Sequence, residues 1–326
     1  MNYREASRLA NRTRTAISAK DWVILRYSGN RFERARYYRE AWKVLAACVE
    51  GQAAVDRPSW TGPFRPCASL LILPRSRDLG DELRVIRFVA HAARDVEQVT
   101  ALVERRLIPL LSRSFPQVQQ FIDRSTDLDL NSFSHVAAQE RLAYWYGHDD
   151  EAIAASFLPL IPPPSEAEPR GIGLSWYSRA LGKTLPSLED WGAVLSDWKG
   201  RLQSLQYREQ DAGFRNLCAL AARPIKTSRS INQIESLDDF AHQIAGLRGV
   251  LTISNTTAHM AGALGIPCVV VLDNGIVTTW PYASRTTPFY PHTRLIRRGD
   301  GTWLEALQRG RAELLRMVAA PSPSPS

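Results

Sequence analysis

Apolar positions along the chain follow two rhythms. Over the first fifty residues they fall at helical spacing: between Glu33 and Val49, residues Ala35, Tyr38, Ala41, Trp42, Leu45 and Val49 share one side, with arginines opposite. A single apolar stripe must pack on something, so residues 1–55 are expected to form a helical N-terminal segment. The stretch DRPSWTGPFRP, 56–66, holds three prolines and a glycine, which stops helix and predicts a linker.

From Ala68 the rhythm changes to short apolar runs alternating with amphipathic stretches. SLLILP (69–74), VTALV (99–103) and VQQFI (118–122) predict strands, with helices over about 82–93 and in RRLIPLLSRSF (105–115). FLPLIPPPSEAEP, 157–169, carries five prolines and predicts a second linker. The alternation then restarts. RGIGLSW, RLQSLQY, GVLTIS and IPCVVVL read as strands; SLEDWGAVLSDW, SLDDFAHQIAGL and NTTAHMAGALG read as helices. This order predicts an α/β protein with two parallel sheets in Rossmann-like halves, 67–160 and 168–318, whose ligands would bind in a cleft at the carboxyl ends of the strands. The tail, 319–326, has nothing to bury and is expected to be disordered.

Composition narrows the class. An apolar fraction of 44% and a charged fraction of 23% are those of a globular domain. Cys48, Cys67, Cys218 and Cys268 are far apart and form no C-x-x-C pair, and Cys268 sits in an apolar run where a buried thiol is expected. With no secretory signal and no run of about 18 apolar residues, the expected location is cytoplasmic. The net charge is +8, of which residues 1–45 supply +7 through eleven basic and four acidic side chains. That segment is expected to be a docking surface for an acidic partner or a solvated face. Nucleic-acid binding is disfavoured, because no recognised module accompanies the arginines.

Three segments could carry chemistry. In residues 249–272 a buried strand ends at Ser254, and Asn255 can cap the following helix. The N–H groups of Thr256 and Thr257, their hydroxyls and the helix dipole would then face an anion such as a diphosphate, with His259 in the first turn. In DLGDEL, 78–83, Gly80 permits a tight turn, and Asp81 can either cap a helix or act as a general base. In residues 171–191 a strand runs into a loop with Ser175, Ser178, Arg179 and Lys183, and a lysine there suits a leaving phosphate. Asp127-Leu128-Asp129 spells a metal motif, but its place predicts a solvated turn, and no metal is expected.

The succession of GD after the first strand, then GIGLSW, SLQY, SNTTAHMAGALGIP and FYPHTRLIRR resembles bacterial glycosyltransferase family 9, in the branch fused to tetratricopeptide repeats. The resemblance covers about Leu70 to Arg311. No period near 34 residues is found, so the N-terminal helices look like one repeat remnant. The resemblance implies a GT-B fold and inverting transfer from a nucleotide sugar to a hydroxyl of a protein or glycan acceptor, without a metal or other cofactor. Asp81 would match the catalytic base, supported by Gly80. Ser175, Lys183, Asn255, Thr256, Thr257 and His259 would match the donor site, and Gln206 and Tyr207 would flank the base or ribose. Asp78 replaces a glycine usual in the family, Asn255 an aspartate of its heptosyltransferases, and Tyr177 a residue that is often basic. Asn255 argues against simply inheriting an ADP-heptose donor, while Asp78 and the reduced repeat region keep a second expectation open, a non-catalytic nucleotide-sugar-binding or interaction protein of the same fold.

Overall fold

The computed structural model describes residues 3–53, 55–74, 78–165, 168–180, 182–207, 212–228, 231–275 and 280–319. Residues 320–326, expected to be disordered, lie outside them. The chain divides into two compact units: residues 1–158 with 279–283, and residues 159–278 with 284–326.

The first unit opens with helices α1 (Tyr3–Ser18), α2 (Trp22–Arg34) and α3 (Tyr38–Ala53). The single stripe predicted from Glu33 to Val49 is in fact broken between α2 and α3. Arg36, at φ 65°, takes a left-handed conformation that no helix interior accepts. Asp21 then sets the start of α2 by accepting the N–H of Ile24 at 3.0 Å. Three parallel strands follow the helices, β1 (Ser69–Leu73), β2 (Gln98–Val103) and β3 (Gln120–Asp123), and β4 (His135–Ala138) completes a sheet of order β3-β2-β1-β4. Between them run α4 (Leu79–Val85), α5 (Arg87–Ala92) and α6 (Ile108–Ser114), and after β4 come α7 (Gln139–Tyr146) and α8 (Asp150–Ala155).

The apolar stripe of α3 packs on this sheet layer. Trp42 is fully buried, and its indole N–H donates to the carbonyl of Gly147 at 2.7 Å. Glu50 of α3 accepts the N–H of Ala138 at 3.1 Å and pairs with Arg141, supplying the cap that the α7 start lacks of its own. Residues 56–66 are no free linker either. Trp60 is buried and its N–H donates to the carbonyl of Val136 at 2.8 Å, while Val136 donates to Pro58 at 3.1 Å. That exchange covers the open edge of β4 with backbone that prolines keep from continuing as a strand.

The second unit holds β5 (Ile172–Ser175), β6 (Leu202–Ser204), β7 (Gly249–Ile253), β8 (Cys268–Leu272) and β9 (Thr293–Arg297), all parallel in the order β6-β5-β7-β8-β9. Helices α9 (Leu188–Leu195), α10 (Ala212–Leu220), α11 (Leu237–Ala245), α12 (Thr256–Ala263) and α13 (Trp303–Ala319) pack around it. The sequence of α9 fixes its start by a capping box in which Ser187 and Asp190 each accept the other's N–H. Leu174, Trp191, Leu251, Val269 and Leu314 share one buried cluster on one side of the sheet. Cys268 is wholly buried, and desolvation pushes its thiol far up, so it packs and does not react.

Candidate functional site

Counted from β5, the second sheet runs 2-1-3-4-5, and its order reverses between β5 and β7. Ligands of doubly wound sheets bind outside the carboxyl ends of the strands at such a reversal. Ser175 ends β5 opposite Thr252 of β7. Asn255, just beyond β7, donates from Nδ2 to Ser175 Oγ at 2.8 Å, and its Oδ1 accepts the N–H of Ala258 at 3.3 Å. One amide thus caps α12 and ties the helix start to the neighbouring strand. Thr252 Oγ1 adds a bond to the carbonyl of Ser175 at 3.0 Å. Thr256 and Thr257 occupy the first two helical positions, whose N–H groups precede the first intrahelical bond.

Lys183 comes to the same place from the β5 loop. Its ammonium donates to the carbonyl of Ser254 at 2.7 Å, one residue before the cap. The next residue, Thr184, donates to the carboxylate of Asp273 beyond β8, so the loop is pinned at two points. A fixed cation therefore stands beside the positive end of α12.

Gln206 has a different task from the one its sequence position suggested. It is buried, and its Oε1 accepts from Ser175 Oγ at 3.2 Å, Trp176 N at 3.2 Å and Tyr177 N at 2.9 Å. Its amide shapes the β5 loop instead of facing a base or ribose. Tyr207 is half-buried, with the guanidinium of Arg179 5.9 Å from its ring centre in a cation–π contact. His259 is buried, its Nδ1 3.2 Å from the hydroxyl of Tyr290, in an edge-to-face pair. That burial gives it a supporting place beneath the helix start. Thr252, Ser254 and Asp273 were missed in the sequence because their contributions depend on strand neighbours distant along the chain.

In the first unit the order reverses between β1 and β4, and DLGDEL follows β1. The cap of α4 is Asp78, which accepts the N–H of Gly80 at 3.0 Å. Gly80 is therefore a helical residue of the first turn and makes no tight turn, and the capping role weighed for Asp81 belongs to Asp78. Asp81 is one-fifth exposed and pairs with Arg84 Nη2 at 3.1 Å. Arg84 in turn pairs through Nη1 with Glu33 of α2. The N-terminal helices thus share charges with the candidate base, where the sequence had suggested a separate docking face.

A second acidic group lies beside Asp81. Glu82 is fully buried, accepts the N–H of Glu104 at 3.1 Å and lies 3.7 Å from Arg124. Burial pushes its carboxyl from the ordinary 4.5 up to about 7, against the pull of Arg124. Because the folded value lies above the unfolded one, the proton held by Glu82 favours the native state below about 4.5 and that stabilisation is lost as pH rises through about 7. Glu82→Gln is expected to flatten this fall in urea-unfolding free energy between about pH 4.5 and 7. An unchanged pH slope would show that Glu82 does not cause it.

Asp129, of the D-x-D, accepts the N–H of Asn131 at 2.9 Å and caps a 3-10 turn. Among the described residues no three His, Cys, Asp or Glu side chains group so as to hold a metal ion, and no helix is long and apolar enough to cross a membrane.

The sequence matches no protein-family model. Protein FlbA of Caulobacter vibrioides is 24% identical over 287 residues, 77% of this chain and 47% of the relative, so the chain spans about half the length of the curated relative it matches. Among solved structures, a glycosyl transferase family 9 protein from Veillonella parvula is similar with a TM-score of 0.55 at 10% identity, over 78% of this chain and 98% of that one. E. coli ADP-heptose lps heptosyltransferase II gives 0.52 at 13%, over 77% and 98%. E. coli heptosyltransferase WaaC, solved with ADP, gives 0.51 at 13%, over 76% and 99%. These likenesses show the fold: two Rossmann-like α/β units of the GT-B class, with an N-terminal helical segment.

Proposed function

We propose that this chain is an inverting, metal-independent glycosyltransferase of family 9, moving a sugar from a nucleotide-sugar donor to a hydroxyl of a protein or glycan. The observation that carries this reading is the fixed cation at a capped helix start: Lys183 on Ser254, beside Asn255 bonded across the strand reversal to Ser175. That arrangement suits a nucleotide's phosphates, which the N–H groups of Thr256 and Thr257 would receive. Tyr207 offers its ring face to the base. The solved relative bound to ADP supports a nucleotide ligand for the fold.

In the reaction, an acceptor oxygen forms a bond to the anomeric carbon while the bond from that carbon to the phosphate oxygen breaks. The acceptor proton passes to the Asp81 carboxylate, and the phosphate leaves with the bonding electron pair. Lys183 and the start of α12 then stabilise its growing charge. The basic N-terminal helices supply a surface on which an acidic acceptor can dock.

The Asp81–Arg84 pair adds structural support to a second reading. A carboxylate held by a guanidinium is a weaker base, as a non-catalytic nucleotide-sugar-binding protein of this fold would tolerate. Turnover separates the two. Incubating the protein with UDP-, GDP-, ADP- and CMP-sugars and a glycan and protein acceptor panel is expected to release one nucleotide with inversion at the sugar. Binding of a nucleotide sugar with no release from any of the set would favour the second reading.

A further inference from the structure

Arg84 is a buried cation with two carboxylates at the two ends of its fork. Its side chain is 2% exposed; Nη1 meets Glu33, itself 1% exposed, and Nη2 meets Asp81 at 3.1 Å. The two acids come from separate elements, Glu33 from the end of α2 and Asp81 from the first turn of α4. Arg87 donates to the main-chain carbonyl of Arg84 at 3.0 Å and steadies that turn. A buried guanidinium cannot be left uncompensated, and its planar shape lets it hold two carboxylates only in a fixed relative geometry.

We propose that Glu33 and Arg84 are positioning residues for Asp81, so that the N-terminal helical segment is part of the acceptor-activating machinery and not only a surface beside it. This rests on the reading of Asp81 as the base. Arg84 fixes the Asp81 carboxylate, which remains 22% exposed. Glu33 balances Arg84, so the guanidinium orients Asp81 without claiming it wholly. Without the charge on Glu33, the contact that fixes the guanidinium from α2 weakens, and with it the placing of the Asp81 carboxylate. The i,i+3 pair between Asp81 and Arg84 needs nothing but its own helix. The contact that makes it a three-membered chain is the one from α2.

The test compares Glu33→Gln, the paired variant Glu33→Gln with Arg84→Met, Arg84→Lys and Asp81→Asn in the full chain. Nucleotide release from the turned-over member of the UDP-, GDP-, ADP- and CMP-sugar panel gives kcat and KM, and thermal unfolding reports folding. Glu33→Gln is expected to lower kcat at least tenfold with donor KM within twofold of the parent. Arg84→Lys should fall similarly, because an ammonium cannot reproduce the fork. The paired variant removes both buried charges together, so it should stay folded and still lose at least tenfold in kcat. A folded paired variant with parental kcat overturns the positioning role while leaving the base assignment intact, provided Asp81→Asn is inactive. If Asp81→Asn turns over normally, or the unmodified chain turns over none of the sugars, the base reading falls and this proposal with it.

Discussion

Asp81→Asn is expected to lower kcat by about 10²–10⁴-fold, the range that a positioned general base contributes, and to leave nucleotide-sugar affinity unchanged. The asparagine keeps the shape of the carboxylate but cannot take the acceptor's proton. Affinity survives because the proposed donor groups, Lys183, Asn255, Thr256 and Thr257, belong to the other unit of the chain. The fold survives as well, since the cap of α4 is Asp78 and Arg84 retains Glu33. Initial rates together with calorimetric titration of the donor check both halves. Parental turnover in this variant would remove Asp81 from the chemistry.

Lys183→Met is expected to give the second large loss, about 10²–10³-fold in kcat/KM, the scale on which one preorganised donor to a developing anion is felt. The methionine keeps an unbranched stem as far as the ε position and discards the ammonium that sits on the Ser254 carbonyl. Lys183 is only half-buried, and Thr184 still ties the loop to Asp273. The variant should therefore unfold within a few degrees of the parent while binding the nucleotide more weakly. Loss of stability without loss of donor affinity would make Lys183 a loop anchor and nothing more.

The parts of the fold legible in the sequence are those whose signals are local. GVLTIS and IPCVVVL announce β7 and β8 because a strand buried on both faces is a continuous apolar run. Asn255 announces the α12 cap for the same local reason. By contrast, β4 is the four-residue HVAA and β9 the edge strand TRLIR, whose two arginines interrupt its apolar residues, and neither presents a run or a clean alternation long enough to register. The break between α2 and α3 depends on one left-handed residue, Arg36, in a stretch whose apolar spacing continues straight through it.

The candidate site divides in the same way. Positions of Lys183, Asn255 and Asp81 after strands could be read directly. The contacts that run from Asp81 through Arg84 to Glu33 could not, because they join helices that are distant in the chain, and the placing of the motifs set the basic segment apart from the chemistry. For Gln206 the resemblance implied a place beside the base or ribose, and the structure adds three accepted hydrogen bonds that tie its buried amide to the β5 loop.

The central claim is that the start of α12, with Lys183 beside it, binds the phosphates of a nucleotide sugar. Thermal unfolding in the presence of UDP-, GDP-, ADP- and CMP-sugars tests it most directly, because a ligand of the native state stabilises by about 2.7 kcal/mol at one hundred times its dissociation constant. The account predicts that one nucleotide class raises the unfolding midpoint and that the rise disappears in Lys183→Met. A midpoint unmoved by every class, or moved equally in the variant, would contradict it.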